Sequence, residues 1–92
     1  MNANTFTSKS GKIYKRINKR EARNLYYAAT STECTRIYVV ACNVRPVDNM
    51  MIPPYVLTFD RFERSFDSFV DEFEHFNCNN QLGRYAAFYI VE

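Results

Sequence analysis

The chain has few of the residues on which small metal-bound or disulfide-bonded folds depend. Its 92 residues include one histidine, three cysteines and no tryptophan. Cys34, Cys42 and Cys78 are odd in number, and their spacings match no zinc or redox motif. We therefore expect reduced thiols, as in cytosolic proteins, and neither a structural metal nor a cofactor.

Long apolar segments are also missing. No run approaches the roughly 20 apolar residues that a membrane-spanning helix requires. Residues 1–10 are polar and lack the apolar region of a secretory signal. We therefore expect a protein that stays in the cytoplasm where it is made, with no membrane partner. Its length suits one domain, which we place at 12–92 after a flexible lead-in at 1–11.

Glycine is scarce, with two in the chain, and this restricts the catalytic motifs that the sequence can contain. The Ser-Lys-Ser-Gly-Lys run at 8–12 lacks the first glycine and the preceding strand of a phosphate-binding loop. His75 stands three residues before Cys78, but no Gly-rich turn offers backbone donors for an oxyanion. The sequence therefore predicts neither an enzyme nor a small-molecule substrate.

Aromatic and β-branched residues, in contrast, are abundant and follow periodic patterns. Apolar residues spaced as on one helix face predict two helices, and Asn18 is expected to cap the first. Alternating or continuous apolar runs predict strands. The predicted elements are a strand at 12–17, a helix at 19–29, strands at 35–44 and 55–59, a helix at 65–76 and a strand at 85–91.

This order of elements predicts an α+β fold, with two helices on one face of an antiparallel sheet. With the first strand the order is β-α-β-β-α-β, which is ferredoxin-like, and without it the order is α-β-β-α-β. Basic residues favour a sheet edge for 12–17, and apolar residues on both faces favour a central place for 35–44. The helix stripes include Ala22 and Phe76. The predicted core contains Leu25, Tyr26, Val39, Phe69, Val70, Phe73 and Phe88.

The net charge of +2 conceals two segments of opposite sign. Residues 9–23, the basic segment, hold seven Lys and Arg residues against Glu21, a net charge of +6. Cations bind phosphates and tyrosine rings stack on bases, so this mixture suits RNA or an acidic groove. An ordinary solvated face is the alternative. The predicted partner-binding residues are Lys12, Lys15, Arg16, Lys19, Arg20, Arg23 and Tyr27.

Residues 60–76 form the acidic counterpart, with six acidic residues against two arginines. Asp67, Asp71 and Glu74 follow helical spacing, which predicts a second contact face on the helix. The spacing lacks the alternating ligands and glycine turn of a calcium loop, so we predict no metal site there. A solvated helix face is again the alternative.

Two stretches, 17–46 and 62–90, resemble small proteins of phages and other mobile elements. In the first, a helix that begins Lys-Arg-Glu-Ala leads into a strand ending in Cys-x-x-Arg-Pro. In the second, a Phe-rich helix leads to an Asn-Cys turn, a Gly-Arg-Tyr step and an aromatic strand.

Small size and the lack of a cofactor motif also resemble the anti-CRISPR proteins, in particular inhibitors of the type I-F surveillance complex. The resemblance implies a protein in the cytoplasm of the bacterial host that binds Cas proteins, with guide RNA as a further contact. It implies a steric mechanism, in which the bound inhibitor blocks target DNA. The alternative is a small phage module that binds nucleic acid or acts in regulation.

Overall fold

A computed structural model describes residues 5–28, 37–41, 44–46, 55–57, 65–78 and 85–91. Within these ranges the chain forms five strands and two helices. In chain order they are β1 (Thr5–Thr7), β2 (Ile13–Ile17), α1 (Lys19–Ala28), β3 (Ile37–Ala41), β4 (Tyr55–Leu57), α2 (Phe66–Asn77) and β5 (Ala86–Val91). The predicted α+β class, with two helices and an antiparallel sheet, is confirmed.

The order of strands across the sheet is β1-β2-β5-β3-β4. The strand predicted at 35–44 is central, as expected, although only Ile37–Ala41 lies in the described part of the chain. The ferredoxin-like order is not confirmed. That order places the first and third strands of a β-α-β-β-α-β unit at its centre. Here, if β2 is counted as the first strand of the unit, the second strand (β3) and the fourth strand (β5) are central.

The prediction that β2 is an edge strand is wrong, because β1 pairs with its outer side. A tight turn over residues 8–12 joins the two strands. The Ser8 N–H donates to the Lys12 carbonyl at 2.8 Å, and the Gly11 N–H donates to the Ser8 carbonyl at 3.0 Å. Gly11 has a φ of 93°, which favours glycine. The domain boundary predicted at residue 12 therefore falls inside a hairpin.

Both helices pack on the same face of the sheet. One core cluster includes Ala22 and Tyr26 of α1, Phe66 and Val70 of α2, and alternate strand residues such as Phe88. The buried residues confirmed from the predicted core are Tyr26, Val39, Val70, Phe73 and Phe88, while Phe69 is half-buried against them.

Two of the aromatic or aliphatic residues assigned to the helix stripes are exposed. Leu25 is 43% exposed and Phe76 is 73% exposed, so their predicted burial is wrong. An α-helix turns about 100° per residue, which places Phe76 about 80° around the axis from Phe66. Leu25 likewise lies about 100° from the buried Tyr26. Both helices therefore bury a narrower stripe than the apolar pattern predicts.

The opposite face of the sheet has its own buried cluster, formed by Tyr14, Val40, Ala87 and Tyr89. Tyr14 meets the ring of Tyr38 edge to face, with ring centres 5.3 Å apart. Partly buried apolar residues from three strands and from the segment after β3 pack against this cluster: Phe6, Tyr38, Val44 and Val91. No helix in the described ranges covers this face, and none there is long and apolar enough to cross a membrane.

Capping residues define where each helix begins. Asn18 caps α1 as predicted, because its Oδ1 accepts the Glu21 N–H at 2.7 Å. Ser65 caps α2 through its Oγ, which accepts the Ser68 N–H at 3.2 Å. Helix α2 therefore begins one residue later than predicted. Of the predicted loop at 45–54 and turn at 77–83, residues 47–54 and 79–83 lie outside the described ranges.

Candidate binding surface

The basic segment contributes exposed side chains from three successive elements. Lys9 and Lys12 lie in the hairpin turn, Lys15 and Arg16 in β2, and the others in α1. The predicted partner-binding residues Lys12, Lys15, Arg16, Lys19, Arg20, Arg23 and Tyr27 are all exposed.

Strand geometry places the two β2 cations on opposite faces of the sheet. Lys15 pairs with Ile90 and shares the helix-bearing face with Ile17. Arg16 pairs with Tyr89 and shares the opposite face with the buried aromatic cluster. The cations therefore extend around the β1-β2 side of the sheet and do not form one flat patch.

Arg23 brings the basic and acidic segments into contact. One of its guanidinium nitrogens lies 3.3 Å from a carboxylate oxygen of Asp67 on α2. Both side chains are about half exposed, at 47% and 57%, so water screens their attraction and the pair contributes little to stability. Two residues predicted for separate contact faces thus neutralise each other locally.

Tyr27 has a structural contact that the sequence did not indicate. Its hydroxyl accepts the N–H of Phe66, the first residue of α2, at 3.0 Å. Its ring also meets Tyr26 edge to face, with ring centres 5.2 Å apart. The side chain remains 50% exposed, but its hydroxyl satisfies one of the unpaired donors at the start of α2.

The other two acidic residues predicted for the second contact face differ in their surroundings. Asp71 is exposed on α2. Glu74 is half-buried, and its Oε2 accepts the backbone N–H of Ala86 at 2.9 Å. Glu74 therefore ties the last turns of α2 to the start of β5.

A groove lies where α1 begins and α2 ends, and we call it the end groove. Its volume is about 530 Å³. It brings Arg16 and Lys19 of the predicted basic set to the same concavity as Glu74 of the predicted acidic set. The lining residues are Arg16, Ile17, Asn18, Lys19, Glu21, Glu74, Tyr85, Ala86 and Phe88.

Tyr85 is a groove residue that was not predicted as a contact residue. It stands directly before β5, and its side chain is 40% exposed. The Cys78 thiol donates to its backbone carbonyl at 3.1 Å. The sequence feature that could have indicated this position is an aromatic residue directly before the small Ala86 and Ala87. Small residues let a helix end pack close to a strand, which leaves the neighbouring aromatic ring beside the helix end.

His75 and Cys78 have different environments. Cys78 is fully buried and its thiol is not in a disulfide, whereas His75 is exposed with its ring 4.8 Å from that of Phe76. In the described ranges, no three His, Cys, Asp or Glu residues are grouped to hold a metal.

No protein-family model, curated protein or solved structure matches this chain.

Proposed function

We propose that this protein acts by binding an RNA-containing target through its basic segment, without catalysing a reaction. The observation that supports this proposal most is that five exposed cations of the basic segment lack an ion-pair partner among the described residues. The exposed Lys9, Lys15, Arg16, Lys19 and Arg20 form no ion pair with another described residue.

The position of these cations does not serve local stability. Lys19 and Arg20 occupy the first two positions of α1, where the helix dipole disfavours positive charge by a few tenths of a kcal/mol. Neighbouring like charges also repel one another. A polyanion removes both penalties, since phosphates neutralise the cations and release counterions.

The target that the resemblance favours is the type I-F CRISPR-Cas surveillance complex of a bacterial host. Such a complex holds guide RNA among Cas proteins, so the basic segment contacts RNA phosphates or acidic protein. In this arrangement Asp71, on the exposed side of α2, faces lysines of the Cas proteins that would otherwise bind DNA phosphates. Bound in this way, the protein blocks target DNA sterically.

A second candidate function is a small module that binds free nucleic acid. The placement of Lys15 and Arg16 on opposite faces of β2 favours it, because a single strand can wrap around such an edge. A duplex needs cations spaced along one surface. This candidate shares the basic segment and differs in its target.

The test is a charge reversal at two residues outside the end groove, Lys15→Glu with Arg20→Glu. We expect at least about a tenfold loss of affinity for a purified type I-F complex at moderate salt, with a shallower salt dependence. The matched control, Lys15→Arg with Arg20→Lys, keeps every charge and should retain the affinity. Folding of each variant is checked by circular dichroism.

Three measurements separate the candidates: binding to the complex, to single-stranded RNA and to a DNA duplex. Unchanged affinity of the folded reversal variant for every target would remove the basic segment from the binding site. Tight binding to free nucleic acid, with none to the complex, would favour the second candidate.

A further inference from the structure

We propose that the end groove binds one nucleotide of a single-stranded RNA, with the base stacked on Tyr85 and the phosphate beside Arg16 and Lys19. This inference rests on the proposed function and specifies where a base is held. The basic segment alone accounts for phosphate contacts, which every nucleic acid offers. The groove adds a site for a base that is neither paired nor stacked within a duplex.

Tyr85 has the exposure and the fixed backbone that a stacking platform needs. The residue is 40% exposed, and its ring has no aromatic partner among the described residues. Two hydrogen bonds fix the peptide group that follows it: Cys78 donates to the Tyr85 carbonyl, and the Ala86 N–H donates to Glu74. An anchored backbone next to the ring reduces the ordering that is needed when a base stacks on it.

Two cations and two carboxylates line the groove. Arg16 comes from the end of β2, Lys19 and Glu21 come from the first turn of α1, and Glu74 comes from α2. Glu74 uses Oε2 for the Ala86 N–H, which leaves its other oxygen as an acceptor. A nucleotide matches this arrangement, since its phosphate is anionic and its base and ribose carry N–H and O–H donors.

The size and floor of the groove fit the same ligand. A volume of about 530 Å³ lies within the range of small-molecule sites, roughly 300–1,000 Å³. Ile17, Ala86 and Phe88 supply apolar lining. A planar base covers apolar surface and stacks at the same time, whereas inorganic phosphate alone would leave the ring and the apolar lining unused.

A single strand fits better than a duplex because the base must present its face to Tyr85. Bases within a duplex are stacked on each other, and proteins read RNA sequence mainly where bases are unstacked. An acidic peptide could also reach Arg16 and Lys19, but its carboxylates offer no aromatic ring to stack on Tyr85. We therefore assign the groove to nucleic acid.

The test is Tyr85→Ala in the full chain, with binding to a short single-stranded RNA measured by anisotropy. We expect about a tenfold loss of affinity, the effect of removing one stacking ring. Tyr85→Phe keeps the ring and should bind as the natural protein does. Tyr55→Ala, an exposed tyrosine at the far sheet edge, is the matched control and should retain binding.

Salt and crosslinking distinguish the groove from the basic segment. The loss from Tyr85→Ala should persist at high salt, whereas the loss from Lys15→Glu with Arg20→Glu should shrink. RNA carrying 4-thiouridine should crosslink to the peptide 85–92, which cleavage after Arg84 releases. Fragmentation of this peptide in a mass spectrometer locates the crosslinked residue, which we expect to be Tyr85, because Tyr89 is 7% exposed.

Three results would overturn the inference. The first is no binding of the natural protein to single-stranded RNA, which leaves the proposed function intact if the complex is still bound. The second is full affinity of a folded Tyr85→Ala variant. The third is a loss from Tyr85→Ala that appears only with RNA-free Cas protein, which would assign the groove to a protein partner.

Discussion

At the scale of single residues, Tyr27 and Glu74 show how an accessible side chain can also hold the fold together. Tyr27 accepts the Phe66 N–H at the start of α2, and Glu74 accepts the Ala86 N–H at the start of β5. Replacing either residue disturbs a neighbouring element as well as a surface. A binding defect in such a variant therefore requires a measurement of stability beside it.

Tyr27→Phe should lower the free energy of unfolding by about 1 kcal/mol, because it removes one hydrogen bond to a helix N–H. The ring contact with Tyr26 remains. Urea denaturation measures the change. Tyr55→Phe is the control, since the Tyr55 hydroxyl has no hydrogen bond with a described residue. Equal effects of the two substitutions would show that the Tyr27 hydroxyl contributes nothing specific.

At the scale of elements, α2 illustrates the difference between an apolar pattern and a buried face. Phe66, Val70 and Phe73 are buried within one stripe, and Phe69 is half-buried at its side. Phe76 continues the sequence pattern but lies outside the stripe. The last phenylalanine of the helix is therefore an exposed side chain, and it should contribute less to stability than the buried phenylalanines do.

Phe73→Ala should lower the free energy of unfolding by roughly 3–5 kcal/mol, since it removes a core ring. Phe73 is 5% exposed and meets the rings of Phe69 and Tyr55. Phe76→Ala makes the same chemical change in the same helix and should cost under about 0.5 kcal/mol. Thermal and urea unfolding of both variants test this. Similar losses at the two positions would contradict the assigned helix face.

At the scale of the whole molecule, the two charged segments are neighbours rather than opposite poles. The Arg23–Asp67 pair joins α1 to α2, and the end groove contains charges from both helices. A polyanion that approaches the basic segment therefore experiences the acidic residues of α2 at close range. The acidic helix should weaken and orient nucleic-acid binding.

Asp71→Lys should strengthen binding of single-stranded RNA several-fold at low salt, because it raises the net charge from +2 to +4. Asp71→Asn removes the acid without adding a cation and should give about half the change in binding free energy. Above about 0.5 M salt, screening should abolish both effects. Anisotropy titrations over a salt series measure them, and identical affinities at low salt would exclude this long-range contribution.

The sequence by itself determined the local features of the protein. Asn18 is a good capping residue, and its side chain caps α1; the alternation of Ile13, Lys15 and Ile17 places them on one face of β2. Such features depend on neighbouring residues and on helix and strand geometry alone. The fold class follows for the same reason, since it depends on the order of elements.

Only the tertiary structure decided which surfaces meet. The pairing of β1 with β2 depends on the turn at 8–12, and it moved a predicted edge strand into the sheet. The contacts of Arg23 with Asp67 and of Tyr27 with Phe66 join residues more than 35 positions apart. The end groove needs four elements at once: β2, α1, α2 and β5. Long-range proximity is a property of the packed fold, and no local spacing encodes it.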